Sequence, residues 1–135
     1  MQRGRVLLCL SKGAANAYLP GGHVEFLEQA AGGLRREIEE ELGLKVDIGR
    51  FMGAVEHSFI QKGKRHCEIN LVFRMAIEGL DARRSPAARE DGIAFRWVSL
   101  RALEKARLEP HPLCRLVPQW LRANAGPARW GSTVP

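Results

Sequence analysis

Glu37, Glu40 and Glu41 stand at i, i+3 and i+4. On a helix, at about 100° per residue, they share about 100° of arc and point the same way. Three carboxylates on one face repel each other, and a divalent cation offsets that repulsion best. Oxygen-only ligation favours Mg²⁺, Mn²⁺ or Ca²⁺ over zinc. The plainer reading is a solvated glutamate face on a surface helix, as charge runs usually are. Leu34, Ile38 and Leu42 form an apolar stripe beside the acidic arc. Glu41 lies nearest that stripe and is expected to be partly buried, with Glu39 on the solvent side.

The surrounding residues favour the chemical reading. Gly22 is followed after five residues by Glu28, and after seven more by Arg36-Glu37-Ile38; one residue on come Glu40-Glu41, and one further on Gly43-Leu44. This pattern resembles the Nudix box at every defining position. Leu19-Pro20-Gly21-Gly22 and the run Gly22-His23-Val24-Glu25-Phe26 are similar to MutT-type members of that family, and the order of elements is similar over about residues 5–122.

The resemblance implies an α/β fold, a Nudix-type α/β/α sandwich around one mixed β-sheet. It implies hydrolysis of a nucleoside diphosphate linked to another group, by water attack on phosphorus, with Mg²⁺ or Mn²⁺ as cofactor. By matching position, Glu40 and Glu41 would be the principal metal ligands, and Glu37 a further ligand or the base acting on the water. The Gly22 carbonyl would face the metal, Glu28 would complete the acidic shell, and Arg36 would hold a neighbouring carboxylate by a charge-assisted bond. An extra base or ligand often comes from a loop after the central hairpin, where Glu90 and Asp91 are the candidates.

Two positions depart from the pattern. Residue 27, often Gly in relatives, is Leu27. Relatives also usually carry a strand before the one expected at Arg5–Ser11; either the sheet is smaller, another copy or segment covers that edge, or the true start lies upstream. An uncovered edge would invite a second chain and suggests a homodimer.

Substrate choice depends on residues outside the box. Phe26, His57, Phe59 and Trp97 are candidates to stack on a base, although single aromatics are more often core. His23 could touch phosphate, and Lys12, Lys64 and Arg65 a distal phosphate. The candidates leave an ordinary nucleoside triphosphate, an oxidised nucleotide, a nucleotide sugar and a dinucleoside polyphosphate open.

The elements that must position these groups follow from pattern. Arg5–Ser11 is a short apolar run that suits a strand, and Pro20-Gly21-Gly22 is a turn. The helical period runs from about Glu28 to Leu42 and ends at Gly43. Val46–Ile60 and Arg65–Ile77 flank Gln61-Lys62-Gly63-Lys64 as a hairpin. A polar loop over Glu78–Asp91 leads to a strand at Ile93–Val98. Ser99 is expected to cap a helix reaching about Arg107, and a last helix near Pro112–Arg122 should be kinked or interrupted at Pro118. Residues 1–122 read as one domain and 123–135 as a loosely ordered tail.

Lys and Arg total 21 against 15 Asp and Glu, a net charge of +6. The stretch Pro20–Ile48 holds seven of the acids and three of the bases, so it is net −4 and the remainder net +10. The arginines are scattered, which argues against a stable nucleic-acid complex and for a small phosphate-bearing nucleotide. No apolar run approaches the ~20 residues that cross a membrane. Three widely spaced cysteines, Cys9, Cys67 and Cys114, read as reduced and mostly buried thiols of a cytoplasmic protein. The leading reading is a metal-dependent hydrolase. The alternative is a catalytically silent, nucleotide-binding regulatory domain, which would be expected to lose box glutamates.

Overall fold

The computed structural model describes residues 1–122 and 130–134. Its strands are β1 (Arg5–Ser11), β2 (Ala17–Tyr18), β3 (Val46–Gln61), β4 (Lys64–Ile77), β5 (Ile93–Ser99) and β6 (Trp130–Ser132). Its α-helices are α1 (Ala30–Leu42) and α2 (Leu113–Arg122), with a short 3-10 helix at Leu100–Ala102. The α/β class is as expected. The single mixed sheet is not: the strands form two three-stranded sheets, ordered β2-β1-β5 and β4-β3-β6. The first is antiparallel throughout, and only the second is mixed, because β6 runs parallel to β3.

β1 is apolar on both faces because both faces are covered. Val6 and Leu8 join Val55 of β3 and Leu113, Leu116, Val117 and Trp120 of α2 in one core. Leu7 joins Ile38 and Leu42 of α1, Val46 of β3 and Phe95 of β5 in the other. Such a strand reads as a continuous apolar run rather than an alternation. Leu8 and Ile38 are fully buried, each worth about 1.5–3 kcal/mol of transfer free energy.

α1 begins at Ala30, two residues later than the pattern suggested. Its N-cap, Gln29, makes no side-chain cap bond, and Gly32 and Gly33 cost about 1 kcal/mol each relative to Ala. Packing of Ile38 and Leu42 therefore carries this helix. It stops at Gly43, whose φ of 66° is left-handed and whose N–H donates to Glu39 O at 2.8 Å. The hairpin turns on Lys62 and Gly63, both with positive φ (50° and 75°). That is the two-residue geometry matching strand twist, and it places Phe59 opposite His66 and His57 opposite Glu68.

Three further expectations change. The helix expected after Ser99 shrinks to one 3-10 turn. Ser99 makes no cap bond, and the chain reverses at Arg107 (φ 52°) so that Leu103 and Leu108 can enter the core. α2 runs through Pro118 without interruption. The loose tail does not hold at Trp130–Ser132, which pairs with Ala54–Glu56 of β3; residues 123–129 and 135 lie outside the described residues. At the other end, the Gln2 side-chain amide donates to Leu80 O at 2.9 Å and accepts from Ala82 N–H at 3.0 Å. It ties the N-terminus to the loop between β4 and β5. Among the described residues, no helix is long and apolar enough to cross a membrane.

Candidate active site

Arg36 organises the acidic cluster. Its Nε and Nη2 grip both Glu28 oxygens at 3.0 Å each, a bidentate pair. Its Nη1 donates to Glu37 Oε1 at 2.9 Å and to Glu40 Oε2 at 3.3 Å. Nη2 also reaches His23 O at 3.1 Å. One guanidinium therefore fastens the loop ahead of α1 to the helix. Arg36 holds the Glu28 carboxyl below its usual range, helped by the Glu25 N–H; Glu28 and Glu37 in turn raise the Arg36 pKa.

Gly22 closes over this cluster. A Cβ there would overlap the Glu37 carboxyl group, so any larger residue would push that carboxylate out of its present position. Leu27, on the same loop, has φ 63° and is 90% exposed. A left-handed conformation costs a side-chain-bearing residue about 1 kcal/mol, a cost glycine would not bear.

Glu41 differs from its neighbours. It is 8% exposed, and its Oε2 is buried without a hydrogen-bond partner among the described residues. Burial, then the charges of Glu37, Glu90 and Glu40, push its pKa up to about 7. A buried carboxylate facing three more carboxylates is an electrostatic demand for a cation. Glu90 is brought near by the backbone: Arg89 N–H donates to Glu41 O at 2.7 Å. Behind the acids, burial, Glu41 and Glu90 raise the Cys9 thiol to about 11, so it stays protonated and is no nucleophile.

Oxygen-only donors and an unpaired buried carboxylate oxygen suit a hard divalent cation. Yet among the described residues no three His, Cys, Asp or Glu side chains surround one point as a ready coordination shell. The reason is Arg36, which turns Glu28, Glu37 and Glu40 towards itself.

A cleft of about 1400 Å³ starts at Gly22 and His23 and runs along β4. On its wall, His57, Phe59 and His66 stack in series. Adjacent ring centroids are 5.2 Å apart, with planes 23° and 11° from parallel. Thr133 Oγ1 accepts the Ser58 N–H at 2.9 Å and lies 3.0 Å from His57 Nδ1, which orients the first ring.

A profile of the NUDIX domain matches residues 1–117. The chain belongs to the Nudix family. It is 30% identical to a MutT NUDIX hydrolase from Burkholderia pseudomallei, over 74% of this chain and 77% of that one, with a TM-score of 0.57. The solution structure of the E. coli ORF135 protein shares the fold at 21% identity (93% and 87% covered, TM-score 0.62). So does a UDP-X diphosphatase at 20% identity, with 97% of this chain covered but 62% of that one, and a TM-score of 0.59. No curated relative matches.

Within this Nudix domain the structure brings together Gly22, Glu28, Arg36, Glu37, Glu40 and Glu41, with Glu90 facing Glu41. Both oxygens of Glu28 are engaged by Arg36. Of the recognition candidates, His23, His57, Phe59 and Trp97 line the cleft. Trp97 is tied back by its Nε1, which donates to Arg84 O at 3.2 Å. Phe26 is 93% exposed and lines no part of the cleft, and Asp91 is an exposed turn residue with no described contact to the acids. Lys12, Lys64 and Arg65 also lie outside the cleft wall. Cys67 is exposed rather than buried. His66 and Thr133 were missed; His66 was findable from the hairpin turn, which fixes it opposite Phe59.

Proposed function

We propose that this Nudix hydrolase cleaves the pyrophosphate linkage of a nucleoside diphosphate derivative with Mg²⁺ or Mn²⁺ as cofactor. The observation that carries the reading is Glu41: a buried, unpartnered carboxylate oxygen within a ring of acidic charge. Glu40 and Glu41 would hold the cation, with Glu37 beside them. When bound, the cation neutralises phosphate charge and polarises the reacting oxygens. Arg36 keeps Glu28 fixed and so positions the Gly22–Glu28 loop against the phosphates. Glu37 Oε2, which receives no bond from Arg36, takes the proton of the attacking water. His23 lies where the cleft meets the acids and suits a phosphate oxygen. The His57–Phe59–His66 stack offers a flat face for a base.

One observation favours the silent, nucleotide-binding reading: Arg36 already satisfies three of the four box carboxylates. A panel of nucleoside triphosphates, nucleotide sugars and dinucleoside polyphosphates, assayed for phosphate or pyrophosphate release, separates the two. Turnover with Mg²⁺ that stops with EDTA is the expected result. Nucleotide binding without turnover on any of them overturns the hydrolytic reading.

A further inference from the structure

The hairpin register sets two polar residues beside the aromatic stack. Glu68 is directly opposite His57, and Asn70 directly opposite Val55. Directly opposite residues of an antiparallel pair share a face. His57, Phe59, His66, Glu68 and Asn70 therefore stand on one face of the hairpin, and all five line the cleft. Phe59 covers the turn-side face of the His57 ring. The other face of that ring looks along β3 towards Val55, and so over Asn70 and Glu68. A base stacked there would turn one edge to these two side chains.

Their hydrogen bonds decide what that edge meets. Asn70 Nδ2 donates to Glu68 Oε1 at 3.1 Å and to Val55 O at 3.5 Å. The opposite amide orientation would set an oxygen against a carboxylate oxygen and a carbonyl oxygen, so the amide NH₂ is committed to these two acceptors. What remains is Glu68 Oε2 and Asn70 Oδ1, both acceptors. Among the described residues neither receives a hydrogen bond, and Glu68 forms no ion pair. Both side chains are half-buried, where an acceptor without a donor is costly. The Glu68 charge also repels phosphate, which leaves this end of the cleft to the base and the His23 end to the phosphates.

Guanine alone among the common bases carries two adjacent N–H donors on one edge, the ring N1–H and the 2-amino group. Adenine and cytosine set an amino group beside a bare ring nitrogen. Uracil and thymine have one N–H between two carbonyls. Each of these four would aim a lone pair at one of the two oxygens. We propose that Glu68, held in place by Asn70, is a specificity-determining residue that selects a guanine nucleotide through those two donors. The inference rests on the cleft receiving a nucleotide, as in the function proposed above, and concerns only its base end.

Calorimetric titration with nucleoside monophosphates tests it apart from turnover, because they carry no anhydride to cleave. GMP is expected to bind about tenfold tighter than IMP, which lacks only the 2-amino group, and to exceed AMP, CMP and UMP by more. In E68Q the Gln carbonyl keeps the Asn70 bond and its NH₂ faces the ligand, turning an acceptor into a donor. This variant should weaken GMP by about tenfold or more and remove its advantage over AMP, with an unchanged circular dichroism spectrum. Equal binding of all five by the wild-type chain overturns the proposal, as does no binding of GMP at millimolar concentration. So does an E68Q chain that weakens all five alike, which would make Glu68 merely structural. A guanine preference without turnover of any triphosphate would sink the hydrolytic reading and leave this one standing; turnover without base preference would do the reverse.

Discussion

β1 and β4 both carry large apolar side chains, but those side chains live in different surroundings. β1 lies between two helices, and Val6, Leu7 and Leu8 are all buried although they alternate faces. β4 keeps Ile69 and Leu71 in solvent. The acidic helix is docked on the covered strand, through Ile38 and Leu42 against Leu7. The aromatic stack stands on the open hairpin. Carboxylates proposed to hold a cation need fixed positions, and close packing supplies them. Groups that receive a ligand need an accessible wall.

Five measurements would break or sharpen that contrast. E41Q should reduce metal-dependent turnover by about a thousandfold and keep the fold; wild-type kcat in this variant would remove Glu41 from the chemistry. The same residue links stability to pH. Its folded pKa of about 7 exceeds the ordinary 4.5. Below 4.5 both states hold the proton. Between 4.5 and 7 the unfolded chain has lost it and the folded chain has not, so stability falls as pH rises; above 7 the loss is complete. The full loss is on the order of 3 kcal/mol. Denaturant titrations of metal-free protein at pH 4.5 and 8 should show it, and the E41Q chain should lack that component. Added Mg²⁺ should offset it at pH 8.

The second test sets one strand against the other. L8A should cost about 3 kcal/mol, because a fully buried leucine leaves a cavity. L71A should cost less than about 1 kcal/mol, since half its surface is already wet. Equal losses in urea unfolding would mean that the two strands are not differently packed.

Much of this was legible in the sequence, and the limit is sequence separation. The acidic arc needs only offsets of three and four on one helix, and Gly43 marks where that helix stops. Lys62-Gly63 sets the hairpin locally. The Arg36 grip on Glu28 was only partly readable, because it joins the helix to the Gly22–Glu28 loop ahead of it, whose path no local pattern fixes. β6 was not readable: three residues pair with β3 from more than seventy positions away. The shortened helix after Ser99 yields to the pull of Leu108 into the core, a tertiary effect that local pattern does not carry. Glu90 was placed on a candidate loop, but its nearness to Glu41 depends on one backbone bond from Arg89.

The remaining tests are smaller. H66A removes the outer ring of the stack and should raise KM several-fold, about 1 kcal/mol, with kcat little changed; an unchanged KM on every substrate would take the stack out of recognition. L27G relieves a left-handed leucine whose side chain touches little. It should raise stability by up to about 1 kcal/mol, the strain removed less the added chain entropy. A fall in Tm would show that Leu27 makes a stabilising contact.

Gln2 has a kinetic consequence. Its amide imitates a peptide group, giving and receiving one bond each to a loop some eighty residues away. Nothing local favours that contact, and it rewards the chain only after everything between has been gathered in. It therefore forms late, acting as a latch on an assembled domain rather than as a guide to assembly. Its strength governs how slowly the domain opens, and leaves the speed at which it closes almost untouched.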